Sequence, residues 1–306
     1  MSLSSWVCVV TGASRGIGKG IALQLSEAGA TVYITGRCEK TLHESAAQIK
    51  ERGGNCVPVK CDSTNDKDIE ELFERIKREQ QGRLDILVNN AYAGVQAIFD
   101  NMGKKFWEID PSMWDAINNT GLRGHYIFSV FASRLMVAQG HGLIVTISSF
   151  GGLRYLFNVP YGVGKAACDR LAVDMAFELR NRGVVSVSLW PGAVQTELIS
   201  QFVMEEKIDP KMTDVFVNGE TTEMSGKCIV NLAKDKNQMS LTGKILMTSS
   251  LSRLYGIQDI DGRSVLDYTS LKFHLGRTPY LSWLSYVVPS FIRLPRFVFA
   301  LNNNYF

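Results

Sequence analysis

The chain has 306 residues, is 45% hydrophobic and 21% charged, and carries a net charge of +3. That length buries a substantial core without disulfide or metal staples, and a weak, scattered positive charge gives no argument for nucleic acid as a partner. Six cysteines and four histidines fall into no metal-ligand spacing, so the thiols read as buried and free, with no metal and a reducing compartment.

Met1 to Ser5 is too short and too polar for a signal peptide, so secretion is not expected. Val7 to Val10 is an apolar run that ends in a glycine turn. Ile17 to Ala28 reads as a helix stopped by Gly29, and Thr31 to Thr35 as the second strand. Glu39 to Arg52 is a helix ending at Gly53-Gly54, and Cys56 to Cys61 is the third strand. Asn65 to Gln80 is an amphipathic helix with Ile69, Leu72, Phe73 and Ile76 on one face, followed by a strand at Leu84 to Val88. Trp114 to Ala138 reads as one long helix, Leu143 to Ile147 as a strand, and Tyr161 to Arg182 as a helix closed by Gly183. A strand at Val184 to Leu189, a helix at Gly226 to Ala233 and a strand at Lys244 to Met247 complete the pattern. Short apolar strands alternating with helices predict a single doubly wound, Rossmann-type α/β domain over residues 1–250, with helices on both faces of a parallel sheet. Residues 251–306 form an apolar C-terminal extension.

The turn Thr11-Gly-Ala-Ser-Arg-Gly-Ile-Gly18 follows a strand and opens a helix. Glycines there let the backbone approach a pyrophosphate, which the free N–H groups of the helix N-terminus attract. Gly12, Ser14, Arg15, Gly16, Ile17 and Gly18 are therefore candidate contacts for a dinucleotide. Gly36-Arg37 ends the second strand where a carboxylate would bind a ribose 2′-hydroxyl and an arginine a 2′-phosphate. Arg37, joined by Arg15, predicts NADP(H) as the preferred cofactor, with NAD(H) as the alternative. Asp62 ends the third strand and is placed either to accept from the adenine amino group or to cap a turn; Asn90 ends the fourth.

Tyr161 and Lys165 stand four apart on a helix and so share a face; Ser149 lies twelve residues before the tyrosine. Lowering a phenol from a pKa near 10 to near 7 takes ~4 kcal/mol in favour of the phenolate. A cation one helical turn away is a source of that stabilisation. Tyr161 would then protonate a carbonyl oxygen as hydride reaches its carbon, and Ser149 would orient the same oxygen.

Thr11 to Gly18, Asn89-Asn90-Ala91, Ser149, Tyr161/Lys165 and Pro191-Gly192-Ala193-Val194-Gln195-Thr196 occur in this order. In these motifs the chain resembles the short-chain dehydrogenase/reductase family, over roughly residues 5–250. The resemblance implies that Pro191, Val194 and Thr196 border the nicotinamide, with Thr196 near its carboxamide. It implies an NADPH-dependent reduction of steroid and other lipophilic carbonyls to alcohols, at the cytosolic face of the endoplasmic reticulum or, alternatively, in the cytoplasm. Two positions depart from the pattern. Tyr92-Ala93 stands where the family has glycine directly after Ala91. Gly121 stands where the family has an asparagine on the long helix, supporting a proton relay to the lysine. Asn118 and Asn119 lie just upstream and are not assigned to catalysis. The Gly121 departure is the support for an alternative, a catalytically weak NAD(P)-binding scaffold; a third reading is an NAD-dependent lipid alcohol dehydrogenase.

Large apolar residues fall in the loops expected around a substrate: Phe99, Phe106, Trp107, Tyr155, Leu156, Phe157 and Phe202. They favour a small lipophilic carbonyl or alcohol. Tyr280 to Leu301 has the length of a membrane span but contains two prolines and two arginines. It reads as one or two short helices in the membrane interface, with a cover for the core or a homo-oligomer contact as the rival roles.

Overall fold

The structure, a computed structural model, describes residues 2–208, 210–295 and 298–299. Seven strands form one parallel sheet: β1 (Val7–Val10), β2 (Thr31–Gly36), β3 (Asn55–Lys60), β4 (Ile86–Asn89), β5 (Gly142–Ile147), β6 (Val184–Trp190) and β7 (Ile245–Met247). Their order is β3-β2-β1-β4-β5-β6-β7, every pair parallel. The order reverses between β1 and β4, and a crevice opens at the carboxyl ends of the strands at such a point.

The helices are α1 (Gly16–Glu27), α2 (Glu39–Glu51), α3 (Asp66–Glu79), α4 (Val95–Asp100), α5 (Ser112–Asn118), α6 (His125–Gln139), α7 (Val159–Leu179), α8 (Glu197–Met204), α9 (Pro210–Val217), α10 (Met224–Lys234), α11 (Thr248–Tyr255), α12 (Leu271–Gly276) and α13 (Leu284–Val287). Successive strand residues face opposite ways, so both faces of a covered sheet must be apolar. In β1, Cys8 and Val10 join a core with Ile21 and Leu25 of α1 and Ile229 of α10. Val7 and Val9 join the opposite core, with Ile69 and Phe73 of α3 and Phe128 and Met136 of α6.

The stretch expected as one helix from Trp114 to Ala138 is two helices joined by a π-helical turn, Asn119–Gly124. A residue without a side chain, Gly121, sits inside that turn. The thiols also need correction at one position. Five are buried, but Cys38 is exposed, because it precedes α2 at the surface rather than lying in a strand.

The extension begins within α11, which follows β7 directly, and turns back over the sheet's carboxyl edge. Asp267 organises it, pairing with Arg253 and, at 2.8 Å, with Arg293. An antiparallel bridge between Ser270 and Arg293 closes the loop that carries α12 and α13.

Candidate active site

A cavity of about 730 Å³ lies at the β1/β4 switch point. Its size is that of a ligand site. Gly12, Ser14, Arg15, Gly16, Ile17, Gly18, Arg37, Asp62, Asn90, Ser149, Tyr161, Lys165, Pro191, Val194 and Thr196 all line it, so the sequence-derived residues converge on one space.

The glycine turn is a backbone cradle. Gly12 and Gly16 take φ of +63° and +57°, the left-handed region that favours glycine. A Cβ at Gly12 would lie 2.7 Å from the Ala91 Cα, and one at Gly18 would lie 2.5 Å from the Gly12 carbonyl oxygen. Side chains would fill the cradle, and their absence exposes the N-terminus of α1 to the cavity, as a dinucleotide pyrophosphate requires. The Gly16 N–H donates to Glu197 Oε2 at 2.9 Å, so a carboxylate from the start of α8 already satisfies part of that anion-binding end.

The remaining candidates divide between contact and support. Arg15 and Arg37 are exposed at the cavity rim and form no ion pair among the described residues. Asp62 lines the cavity while its Oδ1 accepts from the Thr64 N–H and hydroxyl, at 2.9 and 2.8 Å, so the turn-capping role is present. Asn90 donates from Nδ2 to the Thr11 and Gly12 carbonyls, at 2.8 and 3.1 Å, stitching the glycine turn to β4. Thr196 caps α8, its hydroxyl accepting from the Ile199 N–H at 3.3 Å.

Tyr161 and Lys165 are set by the start of α7. Asn158 accepts from the Tyr161 N–H at 2.9 Å, and Pro160 preorganises the first turn. Tyr161 thus stands in the first turn, beside the end of β5, with Lys165 one turn deeper. A Cβ at Gly151 would lie 2.5 Å from Tyr161 Cε1, so the loop after Ser149 has to be bare for the ring to fit. Phe157 packs edge-on against that ring at 5.1 Å and takes φ +63°, a strained conformation for a bulky residue.

Lys165 is buried and donates from Nζ to the Ile147 carbonyl at 3.0 Å. Burial holds its pKa below the ordinary lysine value. Burial also pushes the Tyr161 phenol up to about 12, against a hydrogen bond with Ser149 that pulls it down. The expected lowering of the phenol by Lys165 is therefore not present in the chain alone. The ammonium is engaged by the Ile147 carbonyl and by the face of the Tyr92 ring, 4.8 Å away.

Several groups carry no motif and were not foreseen. Buried Glu220 accepts from the Gly192 N–H at 3.0 Å and from the Thr248 hydroxyl, while its own N–H donates to the Ala193 carbonyl at 2.7 Å. It staples the Pro191–Thr196 loop. Burial raises its carboxyl to about 7. The Ala193 N–H donates to the Tyr268 hydroxyl at 3.1 Å, which ties the same loop to the extension. Phe273, His274, Arg277 and Phe299 of the extension also line the cavity. Among the expected substrate residues, Phe99, Leu156 and Phe157 line it and Phe202 is buried against Phe99 at 4.2 Å. Phe106, Trp107 and Tyr155 are exposed instead and lie outside it; Phe106 and Trp107 pack on each other at the surface.

A doubly wound sheet, a glycine cradle and a tyrosine–lysine pair at one crevice define a nicotinamide-dependent oxidoreductase. Residues 6–207 match the short chain dehydrogenase family, and the chain belongs to it. It is 58% identical to mouse (Mus musculus) dehydrogenase/reductase SDR family member 1, over 98% of this chain and 97% of that one. It is 57% identical to the human (Homo sapiens) protein of the same name, over 99% of each. Among solved structures, a 7α-hydroxysteroid dehydrogenase in complex with NADH and 7-oxo glycochenodeoxycholic acid superposes with a TM-score of 0.70. That match has 23% identity and covers 87% of this chain and 96% of the other; it shows a shared fold.

Proposed function

We propose that the protein is an NADPH-preferring reductase of lipophilic carbonyls, steroid and xenobiotic ketones among them, with Tyr161 as proton donor. The observation that carries this reading is the continuity of one cavity. It runs from the glycine cradle and Arg15 and Arg37, past Ser149 and Tyr161, to a wall of Phe99, Leu156, Phe157 and Phe273. The cradle residues and Arg37 would hold the dinucleotide, and the bound nicotinamide would supply the hydride. Ser149 and Tyr161 both line this cavity and are hydrogen-bonded to each other, so a carbonyl oxygen bound beside them would be oriented and protonated there. Lys165, fixed by the Ile147 carbonyl, places a positive charge behind the phenol. The apolar wall excludes water and selects a lipophilic body. Support for this reading also comes from the two mammalian relatives, dehydrogenase/reductases by name.

A turnover panel of steroid, quinone and aliphatic ketones with NADPH and NADH tests this reading. Tyr161→Phe should lower kcat by about 10²- to 10⁴-fold, the usual range for a lost general acid, while cofactor still binds. Binding of NADPH by the unmutated protein without turnover of any ketone would favour the scaffold reading instead.

The extension supports a second part of the proposal, peripheral contact with the endoplasmic reticulum membrane from the cytosolic side. No helix among the described residues is long and apolar enough to cross a membrane. Tyr280, Trp283, Tyr286 and Phe291, between α12 and the bridge at Arg293, are 91%, 62%, 87% and 73% accessible. Such rings suit the headgroup region. Residues 296, 297, 300 and 301 of the expected interfacial segment lie outside the described residues. Full-length protein should co-sediment with phosphatidylcholine vesicles, and a Tyr280→Ser, Trp283→Ser, Tyr286→Ser variant should not. Equal sedimentation of both would remove this part of the proposal, and cell fractionation tests the compartment.

A further inference from the structure

The two departures from the family pattern, Tyr92 and Gly121, are twenty-nine residues apart in sequence and meet in the fold. A Cβ at Gly121 would lie 2.7 Å from Tyr92 Cδ2 and 3.1 Å from Cε2, so no side chain can stand at position 121 while this ring is in place. The other end of the ring makes the same demand. A Cβ at Gly94 would lie 2.8 Å from the Tyr92 hydroxyl and 2.6 Å from Ile117 Cγ1. Two glycines thus form the seat of one tyrosine.

The ring has defined neighbours. Lys165 Nζ stands over its face, 4.8 Å from the centroid. Tyr161 meets it edge-on at 6.1 Å. Ile98, Met113 and Ile117 pack around it. An aromatic face attracts an ammonium, and more strongly where water is excluded. Lys165 is only 8% exposed. The Tyr92 hydroxyl is buried without a hydrogen-bond partner among the described residues, so the ring and not the hydroxyl accounts for its place.

The nearby asparagines are engaged elsewhere. Asn118 donates to the Pro160 carbonyl at 3.3 Å and packs on Gly164, whose Cβ would meet its Oδ1 at 2.1 Å. Asn119 lines a separate surface cleft with Asp66 and Arg123. The Gly121 carbonyl accepts from Cys168 Sγ at 3.1 Å.

We propose that Tyr92 is the positioning residue of this site: its ring takes the space of the absent helix asparagine and seats the Lys165 ammonium between an aromatic face and the Ile147 carbonyl. The inference rests on the reading of Tyr161 and Lys165 as the reacting pair. Its prediction is a reversal of sign between two mutations. Gly121→Asn is harmful while Tyr92 is present and neutral or beneficial once Tyr92 is reduced to alanine.

The experiment uses the full chain as Tyr92→Phe, Tyr92→Leu, Tyr92→Ala, Gly121→Asn and the Tyr92→Ala/Gly121→Asn double variant. Each is measured for melting temperature, for NADPH affinity by fluorescence titration, and for kcat and KM on one ketone from the panel. Tyr92→Phe should stay within about threefold of the parent, because it keeps the ring face. Tyr92→Leu keeps an apolar but smaller side chain without the face; it should melt between Tyr92→Ala and the parent and lose about thirtyfold in kcat, the equivalent of a desolvated cation–π contact. Gly121→Asn should lower the melting temperature of the parent but not of Tyr92→Ala, and the double variant should regain activity over Tyr92→Ala. Loss of activity in Tyr92→Phe equal to that in Tyr92→Leu would overturn the proposal, as would a Gly121→Asn effect of the same size in both backgrounds. A Tyr161→Phe control separates the two levels. If it remains active, the reading of the pair fails and the positioning role of Tyr92 with it; if it is inactive and the reversal is missing, only the role of Tyr92 fails.

Discussion

At the glycine-turn end the cavity wall is drawn from residues 12, 14–18, 36–37 and 61–62, in segments that each begin within two residues of a strand end. At the far end it is side chains of Tyr268, Phe273, His274 and Phe299, carried back from the extension onto the loop after β6. The first wall follows from local geometry that a parallel sheet repeats in many proteins. The second exists only because Asp267 folds the extension over the sheet, with Glu220 holding the loop it meets. The contrast assigns a shared task, holding a dinucleotide, to the near wall. The far wall and the Tyr92 seat carry what is particular to this chain.

The far wall breaks most readily at Glu220. Its carboxyl is held by the Gly192 N–H and the Thr248 hydroxyl, but its Oε2 is buried without a partner among the described residues. Burial, the largest cause, raises its pKa from 4.5 to about 7. A folded-state value above the unfolded one means that the native chain holds this proton more tightly. Its contribution to stability is full below about pH 4.5 and is lost as pH rises through about 7, on the order of 3 kcal/mol in all. Glu220→Gln keeps an acceptor for both donors and removes the titration. Urea unfolding from pH 4.5 to pH 8 should show the parent losing stability relative to the variant by about that amount. Parallel curves for the two proteins would dismiss Glu220 as the titrating staple.

What could be read from sequence follows the same division. β1 begins and ends where its apolar run does, and most other strand and helix ends lie within one or two residues, because glycines and caps mark them locally. Ser149, Tyr161 and Lys165 meet because the end of β5 and the first turns of α7 are neighbours in any doubly wound sheet. Glu220 carries no motif; its role comes from contacts with Gly192 and Thr248, each twenty-eight residues away. Phe106, Trp107 and Tyr155 were misassigned because apolar character does not say which way a loop residue points. Tyr92 and Gly121 were each legible as a departure, but their mutual fit is a tertiary contact. The π-helical turn that presents Gly121 has no local signature to announce it.

The near wall can be tested at Arg37, and the expected effect is smaller. Arg37 is exposed at the rim of the cavity, one residue after β2, and forms no ion pair among the described residues that would have to be broken for it to turn toward a ligand. A charge-assisted contact to a 2′-phosphate is worth about 1.5–3 kcal/mol when sheltered, and solvent at this rim places it at the lower end. Arg37→Ala should therefore weaken NADPH by about tenfold and leave NADH nearly unchanged. Arg15, which also lines the cavity, would retain part of the attraction, so the preference should narrow and not invert. The ratio of kcat/KM for the two cofactors, measured at two salt concentrations, checks the claim, since an exposed charge contact weakens with ionic strength. An unchanged ratio would make Arg37 a solvated surface residue and leave the choice of cofactor to Arg15 or to the shape of the cradle. A ratio that narrows only at low salt would show that the near wall selects its ligand by charge.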